Sequence, residues 1–202
     1  MRILTISTGK IVPLFGIDHP DYKMVNSGIK KDAVSSLDNP SLMTIRKMGI
    51  DGDEQADFSV HGGTEKAIYA YPAQHYDFWN ELLARETHRA DPIGHGYVGE
   101  NLTVEGFDES NVWVGDIWKI GSVELQVTKL REPCFKFNAR MAYKGSAKAM
   151  IQSGRSGWYL QVHETGQIKA GDIIEVIPGK RITNIQMQNA FLLRKEKQKD
   201  LF

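Results

Sequence analysis

The chain has 202 residues, and 25 Lys or Arg balance 25 Asp or Glu to give a formal net charge of zero. That length suits one domain or one domain with an appendage, and the balanced charge gives no global attraction to nucleic acid or an anionic membrane. The apolar stretches are too short to span a bilayer, no signal-peptide pattern is present and one cysteine excludes an internal disulfide, so the sequence predicts a cytoplasmic protein.

The N-terminal half predicts short strands and one helix. Residues 2–7 are apolar and β-branched and predict a strand, and the turn-rich stretch that follows contains a short β-prone run at 29–34. Residues 44–50 predict another strand. Apolar residues recur at helical spacing over 72–86, which predicts a helix with Pro72 in its first turn.

The C-terminal half returns to strand periodicity. Strands are predicted at 101–104, 112–120, 123–129, 158–163 and 172–177. Gly121 and Ser122 predict a tight turn, and residues 137–150 predict one or two short helices that break near Gly145. Thr183 and Gln186 resemble a capping box, which predicts a helix over 183–199.

These elements predict a fold that is mainly β with α insertions. Many short strands with glycine-rich turns favour a β-barrel-like domain over residues 1–180. A short C-terminal helical extension would follow over 181–202.

Several familiar motifs fail because their context is wrong. Residues 94–99 match G-x-G-x-x-G, but they follow a helix and open a strand, whereas a dinucleotide site needs the reverse order. The acidic run from Asp51 has Ala56 and Gly62 where a calcium loop needs Gly and Glu. No His or Cys pair has the spacing of a zinc site.

The only cysteine, Cys134, is a candidate metal ligand or nucleophile. Arg131, Lys136 and Arg140 surround it in the sequence, and Pro133 fixes the backbone before it. Positive neighbours favour the thiolate, which is the form that binds soft metals and attacks electrophiles. A buried cysteine without chemistry is the alternative.

Two glycine-containing segments are further candidate binding elements. After His61, the paired glycines Gly62 and Gly63 allow close approach to a ligand and present amides to an anion, although a simple turn has the same pattern. Glu100 and Asn101 place a carboxylate and an amide at the start of a strand, where the mouth of a barrel can hold a ligand.

In order and spacing, the segments HGG with a downstream Lys, VGENLT, VGD and EPCFK resemble the MOSC family, and within it the bacterial YiiM-like branch. The resemblance covers residues 40–180. It implies a MOSC-type β-barrel that binds the molybdopterin form of the molybdenum cofactor, with Cys134 as the protein ligand to molybdenum. It also implies reduction of N-hydroxylated compounds, such as hydroxylaminopurine-type bases, to amines.

The resemblance implies roles for other side chains as well. His61 and Arg140 become candidates for polar groups beside the metal, where they would stabilise charge or deliver a proton. The guanidinium of Arg155 suits the cofactor phosphate. Further candidates for cofactor contacts are Gly62, Gly63, Glu100, Asn101 and Lys136.

This function would need a partner, because the sequence has no flavin or iron–sulfur motif. Electrons would come from an external flavin- or iron–sulfur-type reductase. YiiM-like proteins usually carry a three-helix C-terminal extension, of which one helix fits before Phe202. A homodimer is also compatible with the sequence.

Three other functions stay open. The chain could carry the cofactor or sulfur without turnover. It could be a metal-free enzyme with Cys134 as nucleophile and His61 as base. It could also be a purely structural interaction domain.

Overall fold

The computed structural model describes residues 1–16, 18–20, 25–56 and 62–199, with side chains up to residue 195. Within these ranges the chain is mainly β with helices inserted between strands, as predicted. The strands are β1 (Arg2–Thr8), β2 (Val12–Pro13), β3 (Asn26–Ser27), β4 (Asp32–Ser36), β5 (Met43–Arg46), β6 (Gly49–Ile50), β7 (Ile68–Pro72), β8 (Leu102–Glu105), β9 (Ile117–Ile120), β10 (Val123–Leu130), β11 (Trp158–Glu164), β12 (Gly166–Ile168) and β13 (Glu175–Ile177). The helices are α1 (His75–Thr87), α2 (Phe135–Met141), α3 (Ser146–Ser153) and α4 (Ile185–Lys199), and Thr64–Lys66 forms one 3₁₀ turn.

Eight strands form one curled sheet in the order β13-β9-β10-β11-β7-β8-β1-β4. β7 and β8 are parallel, and the other neighbours are antiparallel. The segment before β13 bonds back to β1: the Ile3 N–H donates to the Asp172 carbonyl at 3.1 Å, and the Gly171 N–H donates to the Ile3 carbonyl at 2.9 Å. These bonds connect the β13 end of the sheet to β1, next to the last strand β4, and so curl the sheet into the barrel-like wall that the sequence predicts.

β7 separates two apolar cores because its residues are buried on both faces. Ile68 and Ala70 belong to the core inside the curled sheet. Tyr69 and Tyr71 belong to a second core that lies between the sheet and the helices. The alternation follows from strand geometry, in which successive side chains point to opposite faces.

The C-terminal helix packs back onto this wall. Ile185 is buried in the inner core, and the Gln188 side chain accepts a hydrogen bond from the Leu130 N–H at 2.7 Å. The Asn189 side chain donates to the Ile151 carbonyl at 2.9 Å, which joins α4 to α3. Within the described ranges, no helix is long and apolar enough to cross a membrane.

The structure corrects the predicted starts of the two long helices. Pro72 ends β7 instead of opening α1, which begins at His75. Thr183 does not cap α4, because the Asn184 side chain accepts the hydrogen bond from the Met187 N–H at 2.8 Å. The prediction of two short helices broken near Gly145 is confirmed by α2 and α3.

Three predicted strands are also longer than the real ones. Residues 44–50 form the hairpin of β5 and β6 instead of one strand. Residues 112–116 lie outside β9 and form a loop. The Asp116 side chain holds this loop, because its Oδ1 accepts a hydrogen bond from the Gly179 N–H at 2.7 Å. Residues 172–174 make only a single bridge to β1 before β13 begins. The short strand β12 was not predicted.

Substitution of Trp118 tests how much packing in the inner core contributes to stability. Its ring stacks on Phe107 at 4.3 Å and meets Trp158 edge-on at 5.7 Å, and only 1% of the residue is exposed. Trp118→Ala should lower the free energy of unfolding by about 3–5 kcal/mol, because it leaves a cavity in addition to the lost burial. Urea denaturation followed by circular dichroism measures this. Ile182→Ala, at a residue that is 76% exposed, is the control, and an equal loss in both would contradict the assignment.

Candidate functional site

A cleft of about 730 Å³, open mouth included, lies where β7, β8 and β10 meet the start of α2. Most of the lining residues carry polar or charged side chains. The lining residues are Ser27, Gly28, Ile29, Lys31, Asp53, Glu54, Gln55, Ala56, Lys66, Ala67, Tyr69, Gly99, Asn101, Arg131, Glu132, Cys134, Lys136 and Tyr159.

Cys134 lines the cleft from the residue immediately before α2. Its backbone is extended, and its carbonyl accepts the Phe137 N–H at 2.9 Å to begin the helix. Phe137 is fully buried in the second core, which anchors the helix behind the cysteine. The thiol is half-buried, so a ligand in the cleft can reach it.

Asn101 connects the cleft to β7 and β1. Its side-chain oxygen accepts the Tyr69 N–H at 3.1 Å, and its amide nitrogen donates to the Ser7 carbonyl at 3.2 Å and to Asp53 Oδ2 at 2.8 Å. Just before it, Gly99 has φ +100°, and a Cβ there would lie 2.7 Å from the Ile29 side chain. Glycine therefore allows the start of β8 to approach the cleft wall.

Lys31 and Asp53 form an ion pair in the cleft wall, with side chains only 7% and 5% exposed. Asp53 Oδ1 also accepts the Gly9 N–H at 2.8 Å. Burial lowers the pKa of Lys31, and the attraction of Asp53 opposes that shift. A lysine in this position is therefore a stronger acid than one on the surface, while its partner still favours the charged form.

Glu100 lies behind the wall and does not line the cleft. It is fully buried, and Oε1 accepts hydrogen bonds from the Tyr76 hydroxyl, the Gly96 N–H at 2.8 Å and the Thr103 hydroxyl at 2.8 Å. Oε2 has no hydrogen-bond partner among the residues that the structure describes. Glu100 therefore organises the turn before β8.

Arg131 and Tyr159 belong to the part of the cleft wall that interacts electrostatically with Cys134. Arg131 is 6% exposed, and its guanidinium lies 4.4 Å from the Phe137 ring centre and 5.5 Å from that of Tyr69. Burial raises the pKa of Tyr159; the Arg131 charge opposes this shift and Cys134 adds to it. Tyr159 thus lies within electrostatic reach of both the arginine and the thiol.

The structure brings only some of the predicted site residues together. Cys134, Asn101 and Lys136 line the cleft, and Lys136 Nζ donates to the Asn26 carbonyl at 3.3 Å. Gly62 and Gly63 line a neighbouring pocket that shares Lys66 with the cleft.

The two predicted arginines lie away from the cleft lining. Arg140 stacks on the Tyr97 ring at 3.7 Å and donates to the Tyr97 carbonyl at 3.1 Å. Arg155 lies 4.5 Å from the Phe78 ring centre. His61 is outside the described residues, so its predicted role stays a prediction.

Lys31, Asp53, Arg131 and Tyr159 are among the cleft residues that were not identified as site residues from the sequence. Asp53 was noted only within a rejected calcium motif, and Arg131 only as a neighbour of Cys134. Lys31 and Tyr159 belong to β-prone runs without any motif. The signal available for Arg131 was its position three residues before the cysteine.

The donor set limits the chemistry of the cleft. Within the described ranges, no group of three or more His, Cys, Asp or Glu side chains could hold a metal ion. Cys134 can supply one soft ligand, the lysines and Arg131 can bind anions, and the lysines can donate protons. A metal here would need further ligands that a cofactor brings with it.

Comparison with known proteins gives a consistent result. The family model of the MOSC domain matches residues 57–175. The chain is 33% identical to YiiM of Escherichia coli over 162 residues, covering 80% of this chain and 70% of that protein. It is 39% identical over 143 residues to a protein of Gibberella moniliformis named Reductase, covering 68% of this chain and 25% of that protein.

A solved structure supports the fold. YiiM from Geobacillus stearothermophilus superposes with a TM-score of 0.71 at 28% identity. The match covers 96% of this chain and 84% of that one.

The buried ion pair gives a stability prediction. Lys31→Met should lower the free energy of unfolding by about 3–5 kcal/mol at neutral pH, because it leaves the Asp53 carboxylate buried without its counter-charge. Lys31→Met combined with Asp53→Asn should recover part of the loss, since neither charge remains. Urea denaturation measures both. Arg85→Met, which breaks an exposed pair with Glu86, should change stability much less. A double variant no more stable than Lys31→Met would contradict the prediction.

The buried tyrosines give a pH prediction. Burial raises the pKa of Tyr69, Tyr71, Tyr76 and Tyr159 above the usual value of about 10. A raised folded-state pKa contributes stability that is complete below pH about 10 and is lost as pH rises further. The ultraviolet absorbance of these four tyrosinates should therefore appear together with the loss of folded circular dichroism. Tyr69→Phe should reduce that step, and ionisation of all tyrosines before unfolding would contradict the assignment.

Proposed function

Because the chain belongs to the MOSC domain family, we propose that it binds the molybdenum cofactor in the Cys134 cleft and reduces N-hydroxylated compounds there. The observation that carries the proposal is that the only cysteine of the chain lines a cleft with four basic side chains: Lys31, Lys66, Arg131 and Lys136.

The cleft residues fit the cofactor in two respects. Cys134 presents one half-buried thiol to the cleft, and the protein offers no rival cluster of three ligands in its described part. The cations of Arg131 and Lys136 suit a ligand that carries phosphate and metal–oxygen groups. Cys134 would hold the metal, and Asn101 and Lys136 would contact the rest.

When bound, the cofactor would supply the two-electron chemistry that removes the oxygen atom from the N–O group. The net reaction consumes two electrons and two protons and yields the amine and water. The chain would supply protons and polarity. Lys31 is suited to donate a proton because burial lowers its pKa while Asp53 holds its ammonium in place. Roles for His61, Arg140 and Arg155 stay predictions.

The relative named Reductase favours turnover over cofactor carriage. The match covers only a quarter of that protein, so nothing about the other three quarters is carried over to this chain. For the present chain we propose an external flavin- or iron–sulfur-type reductase as the electron source. A small N-hydroxylated compound would be the substrate.

Metal and pterin content tests this proposal. Wild type and Cys134→Ser would be purified from a host that makes the cofactor, and molybdenum and pterin would be measured per chain. We expect molybdenum close to one per chain in the wild type and at least a tenfold loss in Cys134→Ser, because the only thiol ligand is gone.

A reduction assay then separates the candidate functions. Turnover of a hydroxylamino compound with a supplied reductase supports the enzyme, whereas stable molybdenum and pterin without turnover supports the carrier. Equal molybdenum in both variants, or none in either while a known molybdoenzyme from the same host is loaded, contradicts the proposal. Activity of the metal-free protein that thiol alkylation abolishes would instead favour Cys134 as a nucleophile.

A further inference from the structure

Glu100 is a buried carboxylate whose two oxygen atoms have different surroundings. Oε1 accepts hydrogen bonds from the Tyr76 hydroxyl, the Gly96 N–H at 2.8 Å and the Thr103 hydroxyl at 2.8 Å. Oε2 is buried and has no hydrogen-bond partner among the residues that the structure describes. The three donors are neutral groups, so they orient the carboxylate without supplying a counter-charge.

Gly96 and Asn101 place Glu100 behind the part of the cleft wall that holds Lys31. A Cβ at Gly96 would lie 3.3 Å from the Lys31 carbonyl oxygen, so the turn that binds Oε1 packs closely against the backbone of this lysine. Asn101, the next residue after Glu100, donates to Asp53 Oδ2 at 2.8 Å, and the other Asp53 oxygen pairs with Lys31. Two contacts therefore connect the surroundings of Glu100 to the Lys31–Asp53 pair.

The charge of Glu100 reaches the Lys31 ammonium. Burial lowers the pKa of Lys31, and the attraction of Asp53 and, more weakly, of Glu100 opposes that shift. Glu100 also opposes the effect of burial on His95, whose pKa is lowered. Such action beyond hydrogen-bond distance is expected in a protein interior, which screens charges less than water does.

Buried tyrosines are further titratable groups that face Glu100. Burial raises the pKa of three of them, two on β7 and one on α1: Tyr69, Tyr71 and Tyr76. They are therefore uncharged near neutral pH, where Glu100 acts on cations. Lys31 lines the cleft, whereas His95 is exposed at the surface. Lys31 is thus the cation through which Glu100 can affect the cleft.

We propose that Glu100 is a positioning residue for Lys31: its carboxylate acts with that of Asp53 as a second counter-charge that keeps Lys31 an ammonium in the cleft. The coupling follows from the burial of Glu100 and Lys31 against common neighbours, whether or not a cofactor is bound. The use of the Lys31 proton rests on the proposed function, in which Nζ releases one of the two protons that form water and regains one from solvent. The sequence placed Glu100 among the cofactor contacts, whereas here it acts on the cleft through Lys31.

Titration of Lys31 in cofactor-free protein tests this coupling directly. Nitrogen NMR of full-length protein with isotope-labelled lysine follows the Lys31 side chain, which is assigned with Lys31→Arg. Glu100→Gln keeps the size of the side chain and an oxygen that accepts the three hydrogen bonds, but it removes the negative charge. At the pH where half of wild-type Lys31 is charged, the ratio of amine to ammonium should rise about threefold or more in Glu100→Gln. Glu54→Gln, at a cleft carboxylate that Lys10 and the Ile11 N–H engage, should leave the ratio unchanged.

A measurement on the wild type does not depend on whether a variant folds. Carbon NMR of the Glu100 side-chain carboxyl should show a change at the same midpoint pH as the Lys31 nitrogen, because each nucleus senses the charge of the other residue. The carboxyl of Glu54 should show no change with that midpoint.

An unchanged Lys31 titration in folded Glu100→Gln, or a wild-type Glu100 carboxyl that does not respond to Lys31, would overturn the proposal and leave Glu100 as an organiser of the turn before β8. In protein loaded with molybdenum and pterin, the loss of reduction activity at alkaline pH should begin at lower pH in Glu100→Gln, because its Lys31 loses the proton earlier. Wild-type protein without molybdenum would contradict the proposed function but would leave the Lys31 titration as expected, so the two failures are distinguishable.

Discussion

Burial of β7 on both faces is the constraint on which the cleft depends. Its alternate residues complete the inner core on one side and the helical core on the other, so a shift of the strand by one residue would exchange the side chains of the two cores. Asn101 accepts the Tyr69 N–H and donates its own backbone N–H to the Tyr69 carbonyl at 2.8 Å, which fixes the start of β8 against β7. Phe137 fills the helical core and so fixes the cysteine that precedes α2. The cleft therefore lies where the two cores meet.

The charges of the cleft fall into two classes. Lys31 and Asp53 neutralise each other and, through Asn101, connect the wall to β1 and β7. Arg131 is held by rings and a sulfur and has no such counter-charge among the described residues. The Lys31–Asp53 pair maintains the shape of the cleft, and Arg131 is available to a ligand. Cys134 lines the same cleft as both features.

The sequence predicted local features better than distant ones. The apolar, β-branched run of residues 2–7 predicted β1, and period-two alternation with Gly121-Ser122 predicted the β9–β10 hairpin, because both features depend on neighbouring residues alone. Pro72 was misassigned because proline suits a strand end as well as a first helical turn. Cys134, Asn101 and Lys136 were found from motif spacing. Lys31 was missed because its partner Asp53 is distant in the chain, and motif spacing could not show that Arg140 and Arg155 point to other rings.

Cys134 is the proposed molybdenum ligand, and the chain allows a direct test because it has one cysteine. Biosynthetic replacement of that sulfur by selenium places a single spectroscopic reporter at this position, and X-ray absorption at the selenium edge shows the atoms bonded to it. In protein that contains molybdenum and pterin, we expect a molybdenum neighbour at bonding distance from selenium. Selenium with only light-atom neighbours in the same protein would contradict it.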